Sequence, residues 1–241
     1  MEKKSDKDII ISSQQETTID YPGKMAIIVF TPGCNFKCKF CHNPELVFGE
    51  TGKIDVNILL KNIENRKNAG WYEGVCISGG EPTLQEEGIY NFTKKLKSLG
   101  LLVKLDTNGS NPELLKKLIG EDLVDYIAMD IKSDKEKYKE LIDVDFDIEK
   151  ISESIKIIKE TLNYEFRTTV LPCFTKEDIE EIGKWVSDNM ENKVKLFSLQ
   201  QFVPKNTLDP EYMKLSPTPK ERIEEFAAIM NKYAENVRVL A

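Results

Sequence analysis

Histidine is all but missing from this chain of 241 residues: His42 is the only one. A single imidazole leaves little scope for histidine acid–base catalysis, and a lone histidine is more often structural. Excess basic charge is missing too. The formal net charge is -7, with no basic arm or helix to offset it, which argues against a general affinity for nucleic acid, whose phosphates would be repelled. No apolar run approaches the roughly 20 residues of a membrane span. The opening stretch MEKKSDKDIIISS holds only a three-residue isoleucine run, so neither signal peptide nor span is expected and the chain is placed in the cytoplasm. Cysteine is limited to five, an odd number with three clustered. That is a poor disulfide framework, whereas reduced thiolates in a reducing compartment suit a metal site. Cys76 and Cys173 stand alone inside apolar strand-like runs and are read as buried core, because free cysteine packs as a small hydrophobe.

Internal repeats, low-complexity tracts and composition breaks are also absent. The chain is therefore read as a single domain over residues 1–241, with 1–24 as an N-terminal extension and 25–241 as the body. Hydrophobic residues make up 40% of it, enough for a sizeable core. The extension is expected to carry a short strand at Ile9 to Ile11. From there strands and helices alternate. Strands are read at Met25 to Thr31, Gly74 to Ser78, Leu101 to Leu105, Asp125 to Asp130, Glu165 to Leu171 and Lys195 to Phe202, with a short last strand at Val237 to Leu240. Helical spacing runs through Val56–Ile63, Ile89–Leu96, Leu114–Leu118, Ile148–Ile158 and Ile179–Met190, and Gly70 and Gly100 act as stops. A charged helix is expected from about Asp134. Thr218-x-x-Glu221, with Pro219 at the first helical position, reads as a capping box. Such alternation implies an α/β fold with parallel strands, outer helices and right-handed crossovers, and six strands rather than eight suggest a partial (β/α)6 barrel.

The stretch TPGCNFKCKFCHNP carries the densest chemistry. Cys34, Cys38 and Cys41 fall within eight residues, at spacings that no single helix face accommodates, so the segment must curl around what it holds. Soft thiolates select iron–sulfur clusters, zinc or cuprous ion. No fourth cysteine follows. On a cubane cluster three thiolates leave one iron open, the pattern of a centre that does chemistry. The other unusual residues fall at the ends of expected strands: Gly79-Gly80-Glu81-Pro82 after the second, Asp106-Thr107-Asn108-Gly109 after the third, Asp130-Ile131-Lys132 after the fourth. In barrels of this sort those ends form the active face. Each also has a plain reading. Glycine and proline end strands, Asp106 and Asn108 make Asx turns, Asp130 and Lys132 make an ion pair, and Phe36 packs a loop. Arg167 inside an apolar strand needs a partner.

C-x3-C-x2-C behind an apolar run, followed by SGGEP, resembles the radical S-adenosylmethionine (SAM) superfamily. Within it the chain is similar to the glycyl-radical-enzyme activases, above all the activating protein of anaerobic ribonucleoside-triphosphate reductase. The likeness runs from TTIDYPGKMAIIVFTPGCNFKCKFCHNPEL through GGEP, DTNG, MDIK and RTTVLP to QQF. It implies a partial barrel of the radical SAM type, one 4Fe-4S cluster on Cys34, Cys38 and Cys41, and reductive cleavage of SAM that leaves a glycyl radical on a partner enzyme. It implies a cofactor site in which Phe40 and His42 lie by the adenine and Gly79, Gly80 and Glu81 by the methionine amine. Asp106 and Asn108 would meet the methionine or ribose part, and Asp130 and Lys132 the ribose hydroxyls and carboxylate. The partner that Arg167 needs is expected to be a carboxylate of SAM or of a substrate. A flavodoxin- or ferredoxin-type donor would dock near Lys37 and Lys39. A pyruvate formate-lyase-type activase and a small-molecule enzyme such as a 7-carboxy-7-deazaguanine synthase stand as alternatives. So does a non-enzymatic zinc module using the three cysteines and His42.

Overall fold

The computed structural model describes residues 8–240, and residues 1–7 of the expected extension lie outside them. The elements are β1 (Ser13–Thr17), β2 (Ala26–Thr31), α1 (Pro44–Phe48), α2 (Val56–Asn68), β3 (Gly74–Gly79), α3 (Glu86–Ser98), β4 (Leu102–Thr107), α4 (Pro112–Gly120), β5 (Tyr126–Asp130), α5 (Tyr138–Ile142), α6 (Glu149–Ile158), β6 (Tyr164–Val170), α7 (Lys176–Met190), β7 (Phe197–Gln201), α8 (Lys220–Met230) and β8 (Val237–Leu240). The strands follow chain order in an eight-stranded sheet whose edges are β1 and β8, so it does not close. The α/β class is as expected, and the six strands read from the sequence are β2 to β7. Two compact units divide the chain. The first holds residues up to Asn35, Glu45–Thr107 and Glu113–Ile127; the second holds Phe36–Pro44, Asn108–Pro112 and everything from Ala128.

In the first unit β2, β3 and β4 are parallel, with Ala26 opposite Gly74 and Gly74 opposite Leu102. The β-branched run AIIV is buried throughout, as suits a strand covered on both faces. Asp55 opens α2 by accepting the amides of Asn57 and Ile58, the side-chain cap that orphan helix donors require. Gly70 lets the chain leave that helix at a φ of 78°, a left-handed conformation glycine adopts without strain. Ile89, Phe92 and Leu96 are the buried stripe of α3.

One expectation is corrected here: Ile9 to Ile11 is not a strand. The N-terminal strand is β1, SQQET, antiparallel to β2. Its first four residues are exposed, so it shows no hydrophobic alternation, whereas Ile9 and Ile11 are buried as anchors outside the ladder. Ile9 reaches its place because α3 carries Gly88 there; a Cβ at Gly88 would stand 2.8 Å from the Ile9 Cα.

In the second unit β6, β7 and β8 are parallel, with Phe166 opposite Phe197 and Phe197 opposite Val237. Ile151, Ile155 and Ile158 of α6 are fully buried. Three further corrections fall here. Asp134 does not open a helix; its carboxylate accepts the amides of Glu136 and Lys137 as a turn, and α5 begins only at Tyr138. Thr218 forms no capping box, because its hydroxyl donates to the Val170 carbonyl and α8 starts behind Pro219 without a side-chain cap. A true capping box opens α7, where Thr175 and Asp178 bond reciprocally. Cys173 is exposed rather than core, since it sits past Pro172 in the turn that Phe174 closes onto Leu171, while Cys76 is buried as expected. Among the described residues no helix is long and apolar enough to cross a membrane.

Candidate functional site

The chemistry-bearing residues follow the carboxyl ends of strands in both units. In the first unit the chain leaves β2 at Thr31 and turns through Gly33 and Cys34, whose amides donate to the carbonyls of Leu46 (2.7 Å) and Val47 (3.3 Å). Beyond β3 the Gly80 amide donates to Thr31 and the Glu81 amide to Gly33. Here the glycines are required. A Cβ at Gly79 would stand 2.3 Å from the Thr31 backbone, and one at Gly80 would stand 2.0 Å from the Gly33 carbonyl oxygen. Two backbones thus touch where cysteine loop and GGEP turn meet.

Glu81 is fully buried, and one carboxylate oxygen accepts the Thr83 amide (3.0 Å), the Thr83 hydroxyl (2.6 Å) and the Thr107 hydroxyl (2.9 Å). It latches the end of β3 to the end of β4. Asp106 lies at that end of β4 and is paired with Lys104, two residues back on the same face of the strand. Lys104 is only 1% exposed. Sequence reasoning missed it, although a lysine interrupting the apolar run LLVKLD was the available signal.

In the second unit the loop continues through Phe36 to Cys41. Phe36 is buried against Phe146 and Tyr138, edge to face, so its role is loop packing. Phe40 and Cys38 are buried and Cys41 half-buried. The Cys41 amide donates to Cys38 at 2.9 Å, and the Cys41 carbonyl accepts from Leu208 at 2.9 Å. His42 directs Nδ1 at the Lys205 carbonyl (3.0 Å) and stacks on Phe202 at 6.1 Å. It borders a pocket of about 650 Å³ that also touches Thr169, Gln200 and Leu240.

Asn108 accepts the Ser110 amide at 2.9 Å, the Asx turn that the sequence allows. Gly109 follows at a φ of 76° with its Cα against Met129.

Asp130 ends β5 between two cations: Arg167 Nε donates to one oxygen at 2.8 Å and Lys132 Nζ to the other at 2.9 Å. Burial alone would push the Asp130 carboxyl up, but the charges of Arg167 and Lys132 override it and hold it well below the usual carboxylate range. Burial likewise works against the Lys132 ammonium, and the charges of Asp130 and the Cys38 sulfur keep it above its ordinary range. With two cations to one carboxylate, the triad retains a surplus positive charge.

Among the described residues no three carboxylate, imidazole or thiol side chains are gathered as a metal-holding group. The fit to a metal centre therefore rests on the donors. Three thiols on one curled loop suit a soft metal or an iron–sulfur cluster, and Gly79 and Gly80 let the GGEP backbone close onto the start of that loop, where a Cβ would strike the backbone of Thr31 or Gly33.

A family model described as the radical SAM superfamily matches residues 28–186. A Methanocaldococcus jannaschii protein provisionally named a glycyl-radical enzyme activating enzyme is 39% identical over 228 residues, covering 92% of this chain and 91% of that one. The pyruvate formate-lyase 1-activating enzyme of Escherichia coli K12 is 26% identical over 236 residues, 91% of this chain and 94% of that one. Among solved structures, a domain of pyruvate-formate lyase-activating enzyme from Bacteroides vulgatus superposes with a TM-score of 0.56 at 18% identity, over 70% of this chain and 99% of that one. That last likeness concerns fold alone.

Proposed function

The chain belongs to the radical SAM superfamily, an enzyme family that uses a 4Fe-4S cluster and SAM, and from that premise we propose that it is a glycyl-radical-enzyme activase whose partner is anaerobic ribonucleoside-triphosphate reductase. The observation that carries the activase reading is the likeness to activating enzymes along nine-tenths of the chain. The choice of reductase rests on the resemblance of the QQF segment at Gln200–Phe202 to that branch. The zinc-module alternative is set aside by family membership.

Cys34, Cys38 and Cys41 would hold three irons of the cluster. When bound, cluster and SAM supply the radical chemistry, a one-electron cleavage of the sulfonium that ends in removal of a hydrogen atom from the partner's glycine. The protein's part is to bind, orient and exclude water. Phe40 and His42 flank the adenine. The backbone around Gly79 and Gly80 accepts hydrogen bonds from the SAM ammonium, with Glu81 as the latch that fixes it. Asp106 and Asn108 serve the methionine or ribose hydroxyls, and the surplus charge on Lys132 and Arg167 around Asp130 suits the SAM carboxylate. Lys37 and Lys39 offer a basic landing for an acidic flavodoxin or ferredoxin, and the setting is the cytoplasm.

The test is electron paramagnetic resonance on an anaerobic mixture of this protein, SAM, dithionite and the reductase, run beside one with pyruvate formate-lyase. A glycyl radical doublet on the reductase alone is the expected result. A doublet on pyruvate formate-lyase alone would move the chain to that branch, which its likeness to the Escherichia coli enzyme favours as second reading. SAM turnover without any doublet would point to a small-molecule substrate.

A further inference from the structure

Lys104 has no place in the roles assigned above, yet its setting in the first unit is costly. It occupies the third position of β4, LVKLDT, a strand whose neighbours Val103 and Leu105 are fully buried. Across the ladder it faces Cys76 of β3, itself sealed from water. Its Nζ lies 5.8 Å from the centre of the Tyr126 ring. Cys76 is part of an apolar cluster with Tyr21, Ala26 and Ile28, with Tyr126 packed against it. An ammonium is strongly disfavoured in such surroundings unless a specific anion holds it.

The anion is Asp106. Lys104 Nζ donates to Asp106 Oδ1, with side-chain exposures of 2% and 12%. Strand alternation puts the two on one face, with the lysine sealed within β4 and the carboxylate at its carboxyl end. A surface ion pair would leave both partners in water and fix neither. Here the cation has nowhere else to go, so the carboxylate is pinned in one rotamer with its negative charge retained.

We propose that Lys104 is a positioning residue for SAM binding: it fixes the rotamer and charge of Asp106 from beneath, so that the outer face of the carboxylate is preset to accept a hydrogen bond from a cationic or hydroxyl group of SAM. The inference rests on the reading of Asp106 as a SAM contact. Lys104 touches no cofactor itself and acts only through its partner, and its contribution is pre-organisation, the removal of an ordering cost from the binding step. Replacing the lysine removes the contact that fixes this rotamer, so the ordering cost returns to the binding step.

The test uses anaerobically reconstituted protein and measures SAM affinity by isothermal titration calorimetry, beside iron content and the thermal unfolding midpoint. Lys104→Met is expected to keep its full iron complement while weakening SAM binding about tenfold, the order expected for losing one charge-assisted contact. In an Asp106→Asn background the same substitution is expected to change SAM affinity less than about twofold, because its route of action is already gone. A lower unfolding midpoint with unchanged SAM affinity in Lys104→Met would make the pair purely structural and overturn the proposal. Should that single variant fail to fold, the comparison of Asp106→Asn with the double variant decides. Equal affinities support the proposal, and a further loss beyond about threefold overturns it, because Lys104 would then act by another route. Failure of the parent protein to bind SAM would overturn the reading beneath. Normal SAM binding in the parent, with Lys104→Met unaffected, overturns the lysine's role alone.

Discussion

Two strand ends, one in each unit, carry a lysine and an aspartate two residues apart, in opposite order. In β4 it is Lys104 then Asp106; at β5 it is Asp130 then Lys132. Order decides where each charge sits. With lysine first, the cation is trapped within the strand, and the pair is a neutral unit whose acceptor lies at the strand end. With aspartate first, the cation lies past the strand, and Arg167 of β6 adds a second, so the ensemble is a net cation. The first kind of strand end offers an acceptor to a donor group and the second kind offers cations to an anion, and the difference lies in the order of two charges and in the added Arg167.

Asp130→Asn should have the largest effect, because it removes the carboxylate that Lys132 and Arg167 share. Removing one partner of a buried ionic cluster costs about 3 kcal/mol or more, roughly a 10 °C fall in the unfolding midpoint for a chain of this size. Differential scanning calorimetry reads the fall, and SAM cleavage should drop at least about a hundredfold. An Asp130→Asn protein as stable as its parent would remove the triad from the comparison.

The same triad carries a pH signature. Its carboxyl lies below the ordinary range when folded, so its stabilisation is fully present above the unfolded value near 4 and is lost as pH falls through the lower folded value. Between pH 7 and about pH 4.5 the parent should lose nothing at this site, and below that the loss should be steep. In Asp130→Asn the steep limb should flatten. Urea titrations at stepped pH measure it.

Asp106→Asn comes next. The amide oxygen still accepts from Lys104, but the buried ammonium loses its counter-charge, at a cost of about 2 kcal/mol. SAM affinity should fall about tenfold with iron content unchanged. If Asp106→Asn and Asp130→Asn proved equal in both stability and affinity, the order of the charges would carry no meaning.

Much of this was legible in the chain beforehand. Apolar β-branched runs between helical stripes gave away all six central strands, because burial on both faces leaves a continuous signal that no turn chemistry imitates. The cysteine loop and GGEP stood out because their residue types have few other uses at those spacings. What escaped had weaker or ambiguous signatures. β1 is exposed and polar, so its ladder is made by backbone alone. Thr218-x-x-Glu221 offers a cap, but tertiary contact drew the hydroxyl to Val170 instead. Lys104 hid because alternation reports which face a residue takes and not what it meets there, and its partner's motif drew attention to the rim of the strand instead of its interior.

The smallest effect should come from the opposite end of the same strands. Asp125 precedes β5 and pairs with Lys97 of α3 at 2.6 Å while accepting the Val103 amide at 2.7 Å. Its geometry rivals that of the strand-end pairs, and both side chains are only about one-fifth exposed. Yet it lies where β4 and β5 begin, away from every residue assigned to SAM. Lys97→Met should cost about 1 kcal/mol, since the carboxylate keeps its amide donor and some water, and should leave SAM affinity within twofold. Calorimetry on this variant separates two meanings of a well-made ion pair. If it weakened SAM binding as much as Asp106→Asn, the losses at Asp106 and Asp130 would reflect a general softening of the sheet, and neither strand end would have a claim on the cofactor.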